Sequence, residues 1–287
     1  MVSLGRMDAV VLALVSAALF GSMTVALRFA LAREPDAEAG ALHTIVAALL
    51  VTLPFVAAGT VDLAGIWPFL LAGVLGPGGS QLLFTLAVRD AGPSRTSVTV
   101  GTAPLFSVAI ALLLLDEPAK AGVIAGAILI VTGGILLARE PDRPEHVKWI
   151  GLGFALAATI VFAVRDNLVR HLSLDTDVEP AFAAAATLFA GGLTVAVWLL
   201  LTRGRLPTGG FRAFAPAGVL FGLSYLCLFE GYYRGRVSVV SPLVATESLW
   251  GVALSALLLR RHELVGPRLF GGAALVVAGG VLIGTFR

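Results

Sequence analysis

The sequence holds a single cysteine, Cys227, which excludes an intramolecular disulfide and leaves that residue to pack as a small apolar side chain. Histidine is nearly as scarce. His43, His146, His171 and His262 lie in different segments, and no two stand at the helical spacing of a metal-ligand pair, so neither a metal nor a cofactor is expected. Only 13% of residues are charged, against about 25% in soluble globular proteins, while 58% are hydrophobic and the mean hydropathy is +0.95. A water-soluble fold cannot hide so much apolar surface. No phosphate-cradling Walker sequence is present, which argues against ATP hydrolysis by this chain. The net charge of +2 comes from arginines at the ends of apolar runs, a pattern usual in membrane proteins and no sign of nucleic acid.

What fills the chain is a series of apolar runs long enough to cross the roughly 30 Å hydrocarbon layer, which takes about 20 helical residues. Ten are expected, over 8–28, 40–58, 66–88, 94–115, 120–138, 149–170, 179–201, 213–233, 238–259 and 266–284. Runs of this length must satisfy every backbone group internally, and they lack the alternation of a barrel, so the fold class is an all-α integral membrane protein. The first run is long and has no small-residue cleavage site, which reads as a retained span. The most polar connection, Arg139 to Lys148 with Pro141 and Pro144, divides the chain into 1–140 and 149–287.

The two parts repeat each other. From Ser94 to Ala138 an apolar run, a charged turn at Asp116, Glu117 and Lys120, and a second run with Gly133-Gly134 follow in order. The same plan returns from Ser238 to Gly284, where Glu263 and Gly279-Gly280 stand 146 residues after Glu117 and Gly133-Gly134. Phe20 recurs at Phe162, Ala72 to Leu75 at Ala217 to Leu220, Phe84 at Phe229 and Arg89 at Arg234. Five spans per repeat is an odd number, so the second repeat is expected upside down relative to the first, a recurrent plan of secondary transporters.

Those residues carry a resemblance to a known family. The two five-span halves, the Phe20-Gly21 to Arg28 pattern, Pro104 thirteen residues before Glu117, and the Glu-turn-Gly-Gly hairpin resemble the EamA-type members of the drug/metabolite transporter superfamily over nearly the whole chain. The resemblance implies a cytoplasmic-membrane transporter, commonly an exporter of amino acids or other small metabolites, with spans 1, 3, 4, 6, 8 and 9 around a central cavity. It also implies peripheral spans 5 and 10. Two departures stand out: Trp250 replaces the second copy of Pro104, and Arg260, Arg261 and His262 precede Glu263.

Polar residues inside apolar spans are costly in lipid and mark a cavity or a helix contact. Glu247, about nine residues into the ninth run and so close to the midplane, is the leading candidate for binding a proton or gripping a substrate amine; the alternative is a protonated carboxyl bonded to a neighbouring helix. Arg165, Asp166 and Asn167 cluster in span 6. Adjacent helical positions point about 100° apart, so Arg165 and Asp166 are expected to face different partners, with Arg165 holding a substrate carboxylate or snorkelling to the interface. Gly76-Pro77-Gly78-Gly79 should break span 3 and free backbone groups beside Gln81. Thr99, Thr102 and Tyr225 complete the candidate lining, while Glu230 stands four residues before Arg234 at ion-pair spacing. Gly122 with Gly126 and Gly280 with Gly284 give the small-xxx-small spacing of close helix packing or a dimer contact.

Orientation divides two arguments. Arginine and lysine are richer in the loops opposite the termini, which places the termini outside by the positive-inside rule; the resemblance places them in the cytoplasm, and that orientation is adopted here. The expected partners are a small-molecule substrate, the lipid bilayer and a proton, in a monomer or homodimer. A transporter is the leading function; a membrane-embedded enzyme would need converging catalytic groups that the sequence lacks, and a passive pore would show no dependence on Glu247.

Overall fold

The structure, a computed structural model, describes residues 2–106, 120–138, 148–174, 176–235, 237–259 and 266–286. The charged turn at Asp116 and Glu117, the linker 139–147, and Arg260, Arg261, His262 and Glu263 lie outside the described residues.

The helices follow the apolar runs. They are α1 (Val2–Arg33), α2 (Ala37–Ala57), α3 (Trp67–Gly73), a π-helical turn (Val74–Gly79), α4 (Ser80–Ala91), α5 (Pro93–Val100), α6 (Ala121–Ala138), α7 (Trp149–Leu172), α8 (Pro180–Arg203), α9 (Phe211–Arg234), α10 (Val237–Val244), α11 (Glu247–Leu258) and α12 (Pro267–Phe286). Eight stretches among the described residues are long and apolar enough to cross a membrane, with α3 to α4 and α10 to α11 each contributing one broken span; the apolar part of α6 is shorter. The fourth expected span, 94–115, is described only to Phe106. Large apolar side chains such as Leu53, Leu71, Ile128 and Leu201 point outward, as a lipid-facing surface requires.

Local chemistry sets the helix ends. Proline opens α5 and α8, where its missing N–H costs nothing, and Gly204 ends α8 with φ +68, a left-handed conformation that glycine adopts freely. Asp36 caps α2 by accepting from the Ala39 N–H at 3.1 Å, and Arg203 at the end of α8 pairs with both Asp36 and Glu38. The Arg203 hydrogen bond holds the Asp36 carboxyl below its ordinary value. A depressed carboxyl pKa gives stability that is complete above the unfolded value and lost as pH falls through the folded one. The pair is more than a third exposed, so the effect is small. Asp36→Asn should therefore remove a small part of the fall in melting temperature between about pH 6 and pH 3, and a pH series of thermal melts on both proteins checks it.

Helices α6 and α12 pack against each other within one chain and run antiparallel. A Cβ on Gly126 would stand 2.6 Å from the Gly279 carbonyl oxygen, and one on Gly133 would stand 2.7 Å from that of Gly272. Gly126 and Gly272, like Gly133 and Gly279, are 146 residues apart, so equivalent positions exchange partners across this contact. Of the glycines with the expected spacing, Gly126 makes this close backbone approach, whereas Gly122 lies against the Phe286 side chain and Gly280 meets Pro104 only at an ordinary 3.5 Å.

Among the described residues, three breaks interrupt the bundle. Span 3 opens at Gly76 (φ −139, ψ 111) as expected. The other two were not expected: a turn at Gly101-Thr102 follows α5, and a turn at Ala245-Thr246 separates α10 from α11. The Thr246 hydroxyl donates to the Leu243 carbonyl and the Ser248 hydroxyl to that of Ala245, which satisfies groups freed by the second break. The two turns meet, since a Cβ on Gly101 would lie 2.9 Å from Ser248 Cβ, and Gly251 packs on Ser97.

Candidate functional site

The breaks at Gly101-Thr102 and Ala245-Thr246 border a small, partly open cavity of about 30 Å³. Its walls come from α1 (Ser16, Phe20), from Val100 and Ala103 around the first turn, from α7 (Phe162, Arg165, Asp166), from α9 (Ser224, Tyr225, Leu228), and from α10 and α11 (Ser241, Val244, Glu247). Ser16 and Ser224 face each other at 3.0 Å, and each hydroxyl also reaches the other residue's carbonyl, tying α1 to α9. Phe20, Phe84 and Phe162 form an aromatic cluster beside them, with ring centroids 5.1 to 6.1 Å apart.

Three charged side chains converge here, and all are at least 95% buried. Arg165 donates from Nε and Nη2 to Asp166 Oδ1 at 2.9 and 2.6 Å, and from Nη1 to the Tyr225 hydroxyl at 3.1 Å. The same hydroxyl donates to the Gly76 carbonyl, the group that the break in span 3 frees. Phe162 and Tyr225 cover the guanidinium with their rings, 4.9 and 5.3 Å from Cζ. Glu247 opens α11 at the cavity wall, with Arg165 and Asp166 as the charges within its electrostatic reach. Glu247 lines the same cavity, while the Arg165 guanidinium pairs with Asp166.

The expected divergence of Arg165 and Asp166 is corrected. Their Cα–Cβ bonds do diverge, yet the long arginine folds back onto its neighbour, so both line the same cavity. Of the other candidates, Tyr225 and Glu247 line the cavity, whereas Gln81 is fully buried outside its walls with both amide atoms lacking a hydrogen bond among the described residues. Thr99 and Thr102 bond back to the Arg95 and Thr99 carbonyls, and Asn167 to that of Ala163. Glu230 pairs with Arg234 at 2.8 Å, away from the cavity, at the expected spacing of four. Ser16, Ser224 and Ser241 were not singled out, since serines carry little sequence signal; Asp166 was noted with Arg165 and Asn167 as a polar cluster but not chosen for the lining, although it is a charge inside an apolar run.

Tyr225 joins the guanidinium to the broken backbone. Tyr225→Phe leaves one guanidinium N–H and the Gly76 carbonyl without this partner, and should cost about 1–3 kcal/mol. A lower thermal midpoint for the purified variant, with expression retained, is the expected result.

Residues 7–139 and 149–285 each match the EamA-like transporter family. A protein of Streptantibioticus cattleyicolor described as a probable terminal-alkyne amino-acid exporter is 27% identical over 224 residues, which is 74% of this chain and 71% of that one. A crystal structure of a protein with 21% identity superposes with a TM-score of 0.69 over 97% of both chains, a likeness of fold. With family matches over both halves and eight apolar helices of spanning length, this multi-pass membrane protein belongs to the EamA-like transporter family.

Proposed function

We propose that the chain is a secondary transporter of the plasma membrane that exports a small amine-bearing metabolite, amino acids among them, by alternating access coupled to a proton. The carrying observation is the charge balance of the cavity, which is lined by two acidic side chains, Glu247 and Asp166, and one arginine that pairs with Asp166. The remaining negative charge can hold a proton or a substrate ammonium, and occupancy by one excludes the other. Such exclusion is enough to exchange substrate against protons if Glu247 is offered to each side of the membrane in turn.

Ten spans in two inverted repeats, 1–140 and 149–287, supply the alternation. The exchanged contacts Gly126 with Gly279 and Gly133 with Gly272 support this arrangement, as do the two turns that interrupt spans 4 and 9. The description of the Streptantibioticus relative supports an amino-acid-like substrate. Glu247 takes the proton or amine and Tyr225 orders the guanidinium, while Thr99, Thr102, Asn167 and Glu230 serve the helices. Gln81 is a reserve of hydrogen-bonding capacity for a state in which span 3 moves.

Uptake of a labelled amino-acid panel into proteoliposomes tests the reading. Saturable counterflow is the expected outcome. Flux that never saturates and ignores Glu247→Gln would favour a passive pore.

A further inference from the structure

We infer that Asp166 is the specificity-determining residue of the cavity: it occupies the Arg165 guanidinium and thereby makes the site favour cationic amines over zwitterionic amino acids, which bind more weakly. The inference rests on the transport reading and narrows its substrate class.

An arginine recognises a carboxylate through two parallel N–H groups on one edge of its planar fork. In Arg165 the edge formed by Nε and Nη2 already points at Asp166 Oδ1, and Nη1 is directed to the Tyr225 hydroxyl. The Phe162 and Tyr225 rings lie 4.9 and 5.3 Å from its Cζ. A substrate carboxylate entering the cavity would have to displace Asp166, an adjacent residue that pays almost no loop entropy to stay where it is. Among the described residues, no ion pair holds the Glu247 carboxyl. A ligand ammonium therefore meets an available carboxylate, whereas a ligand carboxylate meets an arginine whose Nε–Nη2 edge is already taken by Asp166.

Removing the Asp166 charge should reverse this order. In Asp166→Asn one guanidinium and one carboxylate face the cavity, the complement of a zwitterion. In the double variant Arg165→Gln with Asp166→Asn only Glu247 remains charged among the described cavity residues, and the preference for a cation should return. The reversal is a readout that a merely structural role for Asp166 would not produce.

Three probes with one side chain isolate the charge: phenylalanine amide (a cation), phenylalanine (a zwitterion) and N-acetylphenylalanine (an anion). Their binding to the purified full-length protein is measured by calorimetry, with thermal melts to verify folding and Asp166→Glu as the conservative rescue. The wild type should bind the amide about tenfold more tightly than phenylalanine, Asp166→Asn should favour phenylalanine by a similar factor, and the double variant and Asp166→Glu should restore the wild-type order. If Asp166→Asn fails to fold, Asp166→Ser, which also removes the charge, takes its place with the same expected reversal. A wild type that binds phenylalanine or its N-acetyl form as well as the amide, or binds none of the three, overturns the inference. So does a folded Asp166→Asn that keeps the wild-type order. Flux of the same probes in proteoliposomes separates the two ideas: flux with no charge preference sinks the assignment of Asp166 alone, and charge-selective binding without flux sinks the transport reading alone.

Discussion

Glu247→Gln should abolish accumulation against a concentration gradient when a pH difference is imposed across proteoliposomes, while leaving a residual downhill, saturable flux. Glutamine keeps the shape and hydrogen-bonding ability of glutamic acid, so α11 should still open at position 247 and the cavity should keep its walls. What disappears is the group that can be either protonated or charged. Without it the proton and the amine no longer compete, and the uphill flux has no driving linkage. A loss of about tenfold or more in amine affinity is also expected, since removing one partner of a buried charge contact commonly costs over 1.4 kcal/mol. Initial rates of labelled amino-acid counterflow, with and without the pH gradient, separate the two effects.

Gly21→Val should be nearly as damaging without touching any charged group. A Cβ on Gly21 would lie 2.7 Å from Trp250 Cβ, 2.9 Å from the Glu247 carbonyl oxygen and 2.9 Å from the Gly251 nitrogen. Two of these three are backbone atoms of α11, so the clash cannot be relieved by a side-chain rotation. Either α1 or α11 must move, and α11 carries Glu247. Overpacking of this kind costs about 1–3 kcal/mol in stability. The functional loss should be larger than that figure suggests, because the displacement acts on the charged group itself. Gly21→Ala should show a milder form of the same defect. Gly153→Ala is the control: nothing lies within 4 Å of its added carbon, and its melting temperature should match or exceed that of the wild type. Thermal melts and counterflow on the three variants check the series. The same geometry gives Trp250 a local role. Its Cβ fills the space opposite Gly21, at the position where the repeat would otherwise carry proline.

Much of this arrangement was legible in the sequence because lipid penalises what does not fit. A charged residue in an apolar run stands out, and Glu247, which lines the cavity, was singled out on that ground alone. The break of span 3 was legible for a similar reason, since Gly76-Pro77-Gly78-Gly79 cannot continue a regular helix. The break between α10 and α11 was not, because Ala245-Thr246 carries no glycine or proline and depends on serine and threonine hydroxyls that bond to nearby carbonyls. The Arg165 to Asp166 contact was missed for a different reason. Helical spacing predicts where Cβ points, but the end of an arginine lies several bonds beyond it and can return to its neighbour. The glycine contacts between α6 and α12 fall between these cases: close packing was expected, yet which glycines meet depends on the antiparallel register of two helices, which neither run specifies by itself.

The central claim is that Glu247 holds a proton or an amine and never both, and proton release on binding tests it most directly. Phenylalanine amide, added to the weakly buffered purified protein with a pH indicator, should release about one proton for each ligand bound by the wild type and none for the ligand still bound by Glu247→Gln. Binding without proton release, or equal release by the two proteins, would contradict the account.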